Sequence, residues 1–201
     1  MGNGKTITLT GASLAGADAS NYTLSSVATT TSNITAKVLT VSGITAENKI
    51  YDSNANAVLV GTGVLSGVIS GDIVTLDTAS ALGTFTGEHV GIGISVNVSG
   101  LAAAGAGAGN YLVTQPTGIT ANITARALTV TNITAGDKIY DGNAVAALDA
   151  SAAVLTGNII GDDVILDTSS ITGAFADNSV GTGKTVTISG LSLTGADAGN
   201  Y

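Results

Sequence analysis

NITAKVLTVSGITAENKIYDSN, residues Asn33 to Asn54, returns as NITARALTVTNITAGDKIYDGN, residues Asn122 to Asn143, and this return decides how the chain is read. Over the first fifteen positions ten residues are identical, and the offset, 122 minus 33, is 89. Further along, GDIVTLDT from Gly71 comes back as GDDVILDT from Gly161, so one residue has been inserted between the two landmarks and the offset becomes 90. GKTITLTGASLAGADASNY, Gly4 to Tyr22, matches GKTVTISGLSLTGADAGNY, Gly183 to Tyr201, at thirteen of nineteen positions. A fixed period has to be recognised before any segment is interpreted alone. The resulting frame makes residues 1–32 the C-terminal part of a preceding repeat, 33–121 a complete repeat, and 122–201 a second repeat lacking its last strands. Met1 and Gly2 run straight into repeat sequence with no visible secretion signal, so the chain reads as a stretch cut from a longer array.

Within the period the pattern is that of strands. Leu39 and Val41, with Leu128 and Val130 one repeat later, alternate with polar or small residues; so do Ile7 and Leu9, Val74 and Leu76, and Ile94, Val96 and Val98. Alternation with period two buries one face of a strand. Clusters of Gly, Asn, Asp and Ser separate these runs and supply turns. About seven short strands per repeat predict an all-β chain of tandem immunoglobulin-like β-sandwich modules of about 90 residues. A continuous β-solenoid is the alternative, although no subperiod of twenty to thirty residues divides the repeat.

Composition narrows the function classes. Hydrophobic residues make up 44% of the chain but aromatics only 3%, so the cores are aliphatic. Fourteen acidic residues against six basic ones give a net charge of −8, which disfavours the phosphate neutralisation that nucleic-acid binding needs. The most apolar stretch, Val58 to Val74, is interrupted by Gly61, Gly63, Gly67 and Gly71, so membrane insertion is not expected. Cysteine is absent, leaving neither disulfides nor thiolate metal sites.

The seven aromatics occupy repeated positions: Tyr51 and Tyr140, Phe85 and Phe175, and Tyr22, Tyr111 and Tyr201. Large rings in a small aliphatic core are its natural anchors, and all seven are expected to serve as structural repeat anchors. The recurring carboxylates Asp52, Asp72 and Asp77, with Asp141, Asp162 and Asp167, are weak candidates for calcium, since that ion wants six to eight converging oxygens and no EF-hand or GGxGxD spacing is present. Asp in a β-turn is the commoner explanation, and no cofactor is expected. SVGTGKT, Ser179 to Thr185, imitates a phosphate-binding loop, yet Asn178 stands where its first glycine belongs and a strand pattern comes after it. His89 is the only histidine and aligns with Ser179, while Glu47 and Glu88 align with Gly136 and Asn178. No catalytic triad or acid–base pair can therefore repeat in both units, and an intramolecular Lys–Asn isopeptide crosslink lacks a glutamate to assist it.

KIYDGN at Lys138, GDDVILDT at Gly161, AFADNSVGTGKTVTISGLSLTGADAGNY from Ala174 and NITARALTV at Asn122 together resemble the YDG domain, a repeat of long bacterial surface proteins including filamentous-haemagglutinin-like exoproteins. The resemblance covers practically the whole chain. It departs at Ser53, which replaces the glycine of the Tyr-Asp-Gly motif, and at GAGAGNY from Gly105, where GADAGNY has lost its aspartate. What it implies is a non-enzymatic, secreted or cell-surface stalk repeat of a bacterial adhesin, with neighbouring repeats as its immediate partners. Two other expectations stand beside it: binding of a host glycan, mucin or surface receptor through loops, and self-association through exposed strand edges, in which residues 1–32 of one copy complete the edge near Tyr201 of another.

Overall fold

The computed structural model describes all 201 residues, Met1–Tyr201. It is all-β: short strands joined by turns, with three single-turn 3-10 helices at Ala19–Asn21, Ala108–Asn110 and Ala198–Asn200. No helix is long and apolar enough to cross a membrane. The fold is sandwich-like, as the alternating pattern predicts. A solenoid stacks its coils in continuous parallel ladders, whereas the ladders here are antiparallel, with two parallel exceptions described below.

The chain folds into two compact units, and neither is a sequence repeat. The first gathers Met1–Thr45, Leu59–Gly83 and Val98–Thr117; the second gathers Ala46–Val58, Thr84–Asn97 and Gly118–Tyr201. The repeat 33–121 is thus divided, residues 33–45, 59–83 and 98–117 going to the first unit and 46–58, 84–97 and 118–121 to the second. A periodic sequence specifies the length of the period but not its phase, because every 90-residue window contains the same parts.

In the first unit, Lys37–Ser42 is central. Tyr111–Thr114 pairs parallel to it, Tyr111 opposite Lys37, and Val64–Ser66 pairs antiparallel on the other side. Its inward residues Leu39 and Val41 are buried with Ile44, Val98, Leu101 and Tyr111. Thr75–Asp77 pairs with Ala102–Ala104, and Gly2–Ile7 pairs with Thr30–Ile34. The turn after Val98 needs Gly100: its φ is +80°, and a Cβ there would lie 1.9 Å from the Ser80 carbonyl oxygen. Gly190 repeats this close approach, against Ser170 in the second unit.

A sheet that lies in the second unit except for Leu82, Gly83, Val98 and Ser99 runs in the order Lys49–Ile50, Ile119–Thr124, Gly91–Ser99, Leu82–Phe85, Asn56–Ala57. Ile119–Thr124 lies antiparallel to Gly91–Ser99 and parallel to Lys49–Ile50, with Ile123 opposite Lys49. Tyr51, Phe85, Val96, Ala121 and Ile123 fill its buried face. The rest of the unit repeats the antiparallel pairs already seen, with Thr172–Phe175 between Val145–Ala146 and Val186–Ser189, and Ile165–Asp167 against Ser192–Thr194.

Candidate functional site

The Tyr-Asp-Gly motif is a tight turn closed by the lysine two residues ahead of its tyrosine. Lys49 reaches back over the turn, and its Nζ lies 2.5 Å from the Asp52 carboxylate. The same ammonium donates to the Asn54 carbonyl at 2.7 Å, to Asn54 Oδ1 at 3.1 Å and to the Asn56 carbonyl at 3.2 Å. It also sits 5.8 Å from the centre of the Phe85 ring, a cation over a π-face. Every element recurs one repeat on: Lys138 meets Asp141 at 2.7 Å, the Asn143 carbonyl and Oδ1 each at 2.9 Å, the Val145 carbonyl at 3.0 Å, and the Phe175 ring at 5.9 Å. The ammonium thereby collects carbonyls that a turn of this shape leaves without main-chain donors.

The aspartate of the motif accepts twice. Asp52 takes the Asn54 N–H, and Asp141 the Asn143 N–H, forming Asx turns alongside the ion pair. Burial pushes the Asp52 carboxyl up, but the Lys49 and Asn54 donors outweigh it and the net shift is downward. Asp141 is held low chiefly by Lys138. The third position has left-handed backbone in both copies, φ +79° at Gly142 and +59° at Ser53, which accounts for the glycine in the motif and makes Ser53 a strained replacement.

A second clasp joins the GD segment to the terminal NY. In the second unit the Tyr201 hydroxyl donates to Asp162 Oδ2 at 2.6 Å and accepts the Ile159 N–H at 2.9 Å. In the first unit Tyr111 does the same to Asp72 at 2.6 Å and Ile69 at 3.0 Å. Tyr201 holds the Asp162 carboxyl below the usual aspartate range. The phenols move the other way: desolvation, then the Asp162 bond, raises Tyr201, and the Asp72 bond is the largest cause of the rise at Tyr111.

In the second unit this clasp meets the first repeat's motif. Tyr51 packs edge-on against Tyr201 at 5.5 Å, and Ser53 Oγ lies 3.3 Å from Asp162 Oδ1. Asn200, the one buried polar side chain, accepts the Val90 N–H at 3.1 Å and contacts His89 Nδ1 at 3.1 Å. In the first unit Asn110 accepts from the Met1 ammonium at 2.7 Å, at the position that Val90 occupies one repeat later.

The expected site residues therefore separate. Asp52 and Asp141 belong to lysine clasps and Asp72 and Asp162 to tyrosine clasps, while Asp77 and Asp167 accept the Ala79 and Ser169 N–H groups in Asx turns. No group of three or more His, Cys, Asp or Glu side chains comes together where a metal ion could be held. Of the seven aromatic anchors, Tyr51, Phe85 and Tyr111 are buried and Phe175 and Tyr201 half-buried. Tyr22 and Tyr140 are not anchors but exposed, by 72% and 64%. Nothing in the second unit lies on Tyr140 as Tyr201 lies on Tyr51.

Lys184, the lysine of the phosphate-loop lookalike, turns back on its own loop to Asp177 and the Ser179 carbonyl, and it leads into a strand, Val186–Ser189. Lysine, asparagine and aspartate do meet at Lys49, but in a turn partly open to water, with the carboxylate bonded to the ammonium and to an N–H and not to the amide carbonyl that a crosslink would activate.

The lysines of the clasps and the asparagine before the last tyrosine were missed by sequence reasoning. The signal for the clasps was constant spacing inside otherwise drifting repeats: Lys49 to Asp52 and Lys138 to Asp141 are both three residues apart, and Asp72 to Tyr111 and Asp162 to Tyr201 both 39, unaffected by the inserted residue.

A family model described as YDG domain matches residues 35–118 and again 124–201. No curated protein and no solved structure matches the chain.

Proposed function

The chain belongs to the YDG domain family, carrying two copies of the domain, and from that premise we propose that it is a structural spacer: tandem, non-enzymatic stalk repeats of a secreted or cell-surface bacterial adhesin. The observation that carries the reading is where the repeated polar groups are used. Lys49 and Lys138, Asp52 and Asp141, Asp72 and Asp162, Tyr111 and Tyr201 all bind other parts of the same unit, in the same geometry in both copies. Residues repeated in this way maintain a fold that is to be copied in series. His89, the single imidazole, contacts Asn200 and has Ser179 as its counterpart, which supports a role in packing over one in proton transfer.

In such arrays stability and length accumulate unit by unit. Small-angle scattering on chains of two, four and six repeats tests the proposal: the maximum dimension should grow by an equal increment for each added pair. Growth that slackens toward the cube root of chain length would mean a compact particle and would defeat it.

A further inference from the structure

We infer that Asp141–Gly142 is a site of spontaneous isoaspartate formation and that the Lys138 clasp restrains the reaction. The inference rests on the chemistry and geometry of this turn and is independent of the stalk reading.

The motif makes two demands whose combination is chemically labile. Its third residue sits at φ +79°, which calls for glycine, and its second must be an aspartate to receive the lysine and close the Asx turn. Asp141–Gly142 is the only Asp–Gly bond in the chain. Glycine has no Cβ to hinder its nitrogen, and that nitrogen can attack Cγ of the aspartate before it. A C–N bond forms, the nitrogen loses its proton and the carboxyl its hydroxyl as water, and a five-membered succinimide ring closes. Water then opens the ring at either carbonyl. One opening gives back aspartate; the other leaves isoaspartate, with the main chain routed through the former side chain. Water is the only co-reactant, and the product is an isomer of the starting chain.

Burial does not prevent this reaction. The Asp141 side chain is 51% exposed and that of Asp52, in the other copy, 45%, so openness to water belongs to the turn itself. No atom lies within 4 Å of where a Cβ would stand on Gly142. What opposes the ring is the clasp. Cyclisation proceeds from the neutral carboxyl, because a carboxylate carbon is a poor electrophile with no good leaving group. Lys138 Nζ lies 2.7 Å from Asp141 Oδ1 and the Asn143 N–H donates to the same oxygen at 3.1 Å, so both favour the ionised form and hold the carboxyl below the usual aspartate range. The ammonium is itself anchored, by the Asn143 carbonyl and Oδ1 at 2.9 Å and the Val145 carbonyl at 3.0 Å, so its charge stays beside the carboxylate. Closing the ring removes the carboxylate and therefore breaks the ion pair and the Asx-turn bond together. Asn178 Nδ2 also donates to the Gly142 carbonyl at 3.0 Å, fixing the glycine from its other side.

The first copy separates the two demands. Lys49 and Asp52 form the same clasp, but the third residue is Ser53, whose side chain crowds the nitrogen while its backbone bears the strain of φ +59°. Ser53→Gly would give that copy the labile bond under an intact clasp, and Lys49→Met would then remove its restraint.

Ageing the whole chain in warm neutral buffer, followed by peptide mapping, tests this. Isoaspartate leaves the mass unchanged, so it is identified by chromatographic shift and electron-transfer fragmentation, and mapping separates position 141 from Asn3–Gly4, where deamidation passes through the same ring. The folded parent should form isoaspartate at position 141 more slowly than the same chain unfolded in guanidinium chloride. K138M should form it faster than the parent by about threefold or more, the factor to which loss of one hydrogen bond corresponds. K49M removes the matching clasp from the same unit without touching Asp141, so it controls for lost stability and should leave the rate at position 141 unchanged. In S53G the bond after Asp52 should isomerise slowly, and in S53G/K49M faster by a similar factor. Three results overturn the inference: a folded parent as fast as the unfolded chain, a K138M no faster than the parent, or K138M and K49M accelerating position 141 alike, which would assign the effect to unfolding.

Discussion

Lys49–Asn54 and Lys138–Asn143 are the same turn in two settings. The lysine clasp, the Asx turn, the left-handed third residue and the phenyl ring beneath the ammonium agree closely between them. Yet Tyr51 is sealed in a core and Tyr140 stands in water. The difference is supplied by residues far along the chain: Tyr51 is covered by Ile119–Thr124 and by Tyr201, and Tyr140 by nothing comparable. Local sequence dictates the shape of the motif, and the neighbouring half-repeat decides whether its tyrosine anchors anything.

Substitution at these two tyrosines breaks the comparison most sharply. Tyr51→Ala should lower the stability of the second unit by about 3–5 kcal/mol, the cost of emptying a large buried site, while Tyr140→Ala should change it by less than about 0.5 kcal/mol. Urea denaturation followed by circular dichroism reads both, and equal effects would mean the two environments are alike. The clasps, in contrast, should respond alike. Lys49→Met and Lys138→Met each leave several turn carbonyls without a donor and should cost about 1–2 kcal/mol apiece. Smaller again is the backbone term: Gly142→Ala should cost about 1 kcal/mol, because a side chain is placed at positive φ where space is open but the conformation is not favoured. Ser53→Gly should relieve similar strain while giving up the contact with Asp162, for a net change under about 1 kcal/mol.

The pH dependence is the mildest test, since these carboxylates are solvent-accessible. Asp52, Asp141 and Asp162 have folded values below their unfolded ones, so their contribution is complete above about pH 4 and is lost as the pH falls through the lower folded values. Tyr51, Tyr111 and Tyr201 are displaced upward. Their contribution is present below about pH 10 and disappears as the pH rises through the higher folded values. Thermal unfolding across pH should show a plateau with a fall at each end. A stability maximum confined to a narrow acidic window would contradict these assignments.

Much of this was legible in the residues. Period-two alternation put Leu39, Val41, Val96 and Val98 on buried faces, and they are buried. Asp77 and Asp167, read as turn residues, cap their own turns. The strand pattern after Lys184 outweighed its resemblance to a phosphate loop, and Val186–Ser189 is indeed a strand. Phase could not be read. Alternation records which side of a strand is apolar, not which strand will cover it, so Tyr140 and Tyr51 look identical until their neighbours are placed. The clasps escaped for a related reason: Asp72 and Tyr111 have no local pattern linking them, only a separation that stays constant in both copies. Asn200 gave no hint of burial, since its hydrogen bonds come from the loop at His89 and Val90.

The claim beneath all of this is that the folding unit is out of step with the sequence repeat, the repeat 33–121 contributing parts to both compact units while 122–201 lies within one. Native-state hydrogen exchange under rising denaturant, resolved by residue, tests it most directly. Amides of residues 46–58 and 84–97 should open together with those of 118–201, and amides of 59–83 and 98–117 with those of 1–45. If residues 33–121 open as one cooperative group, separate from 122–201, the repeat itself is the folding unit and the account fails.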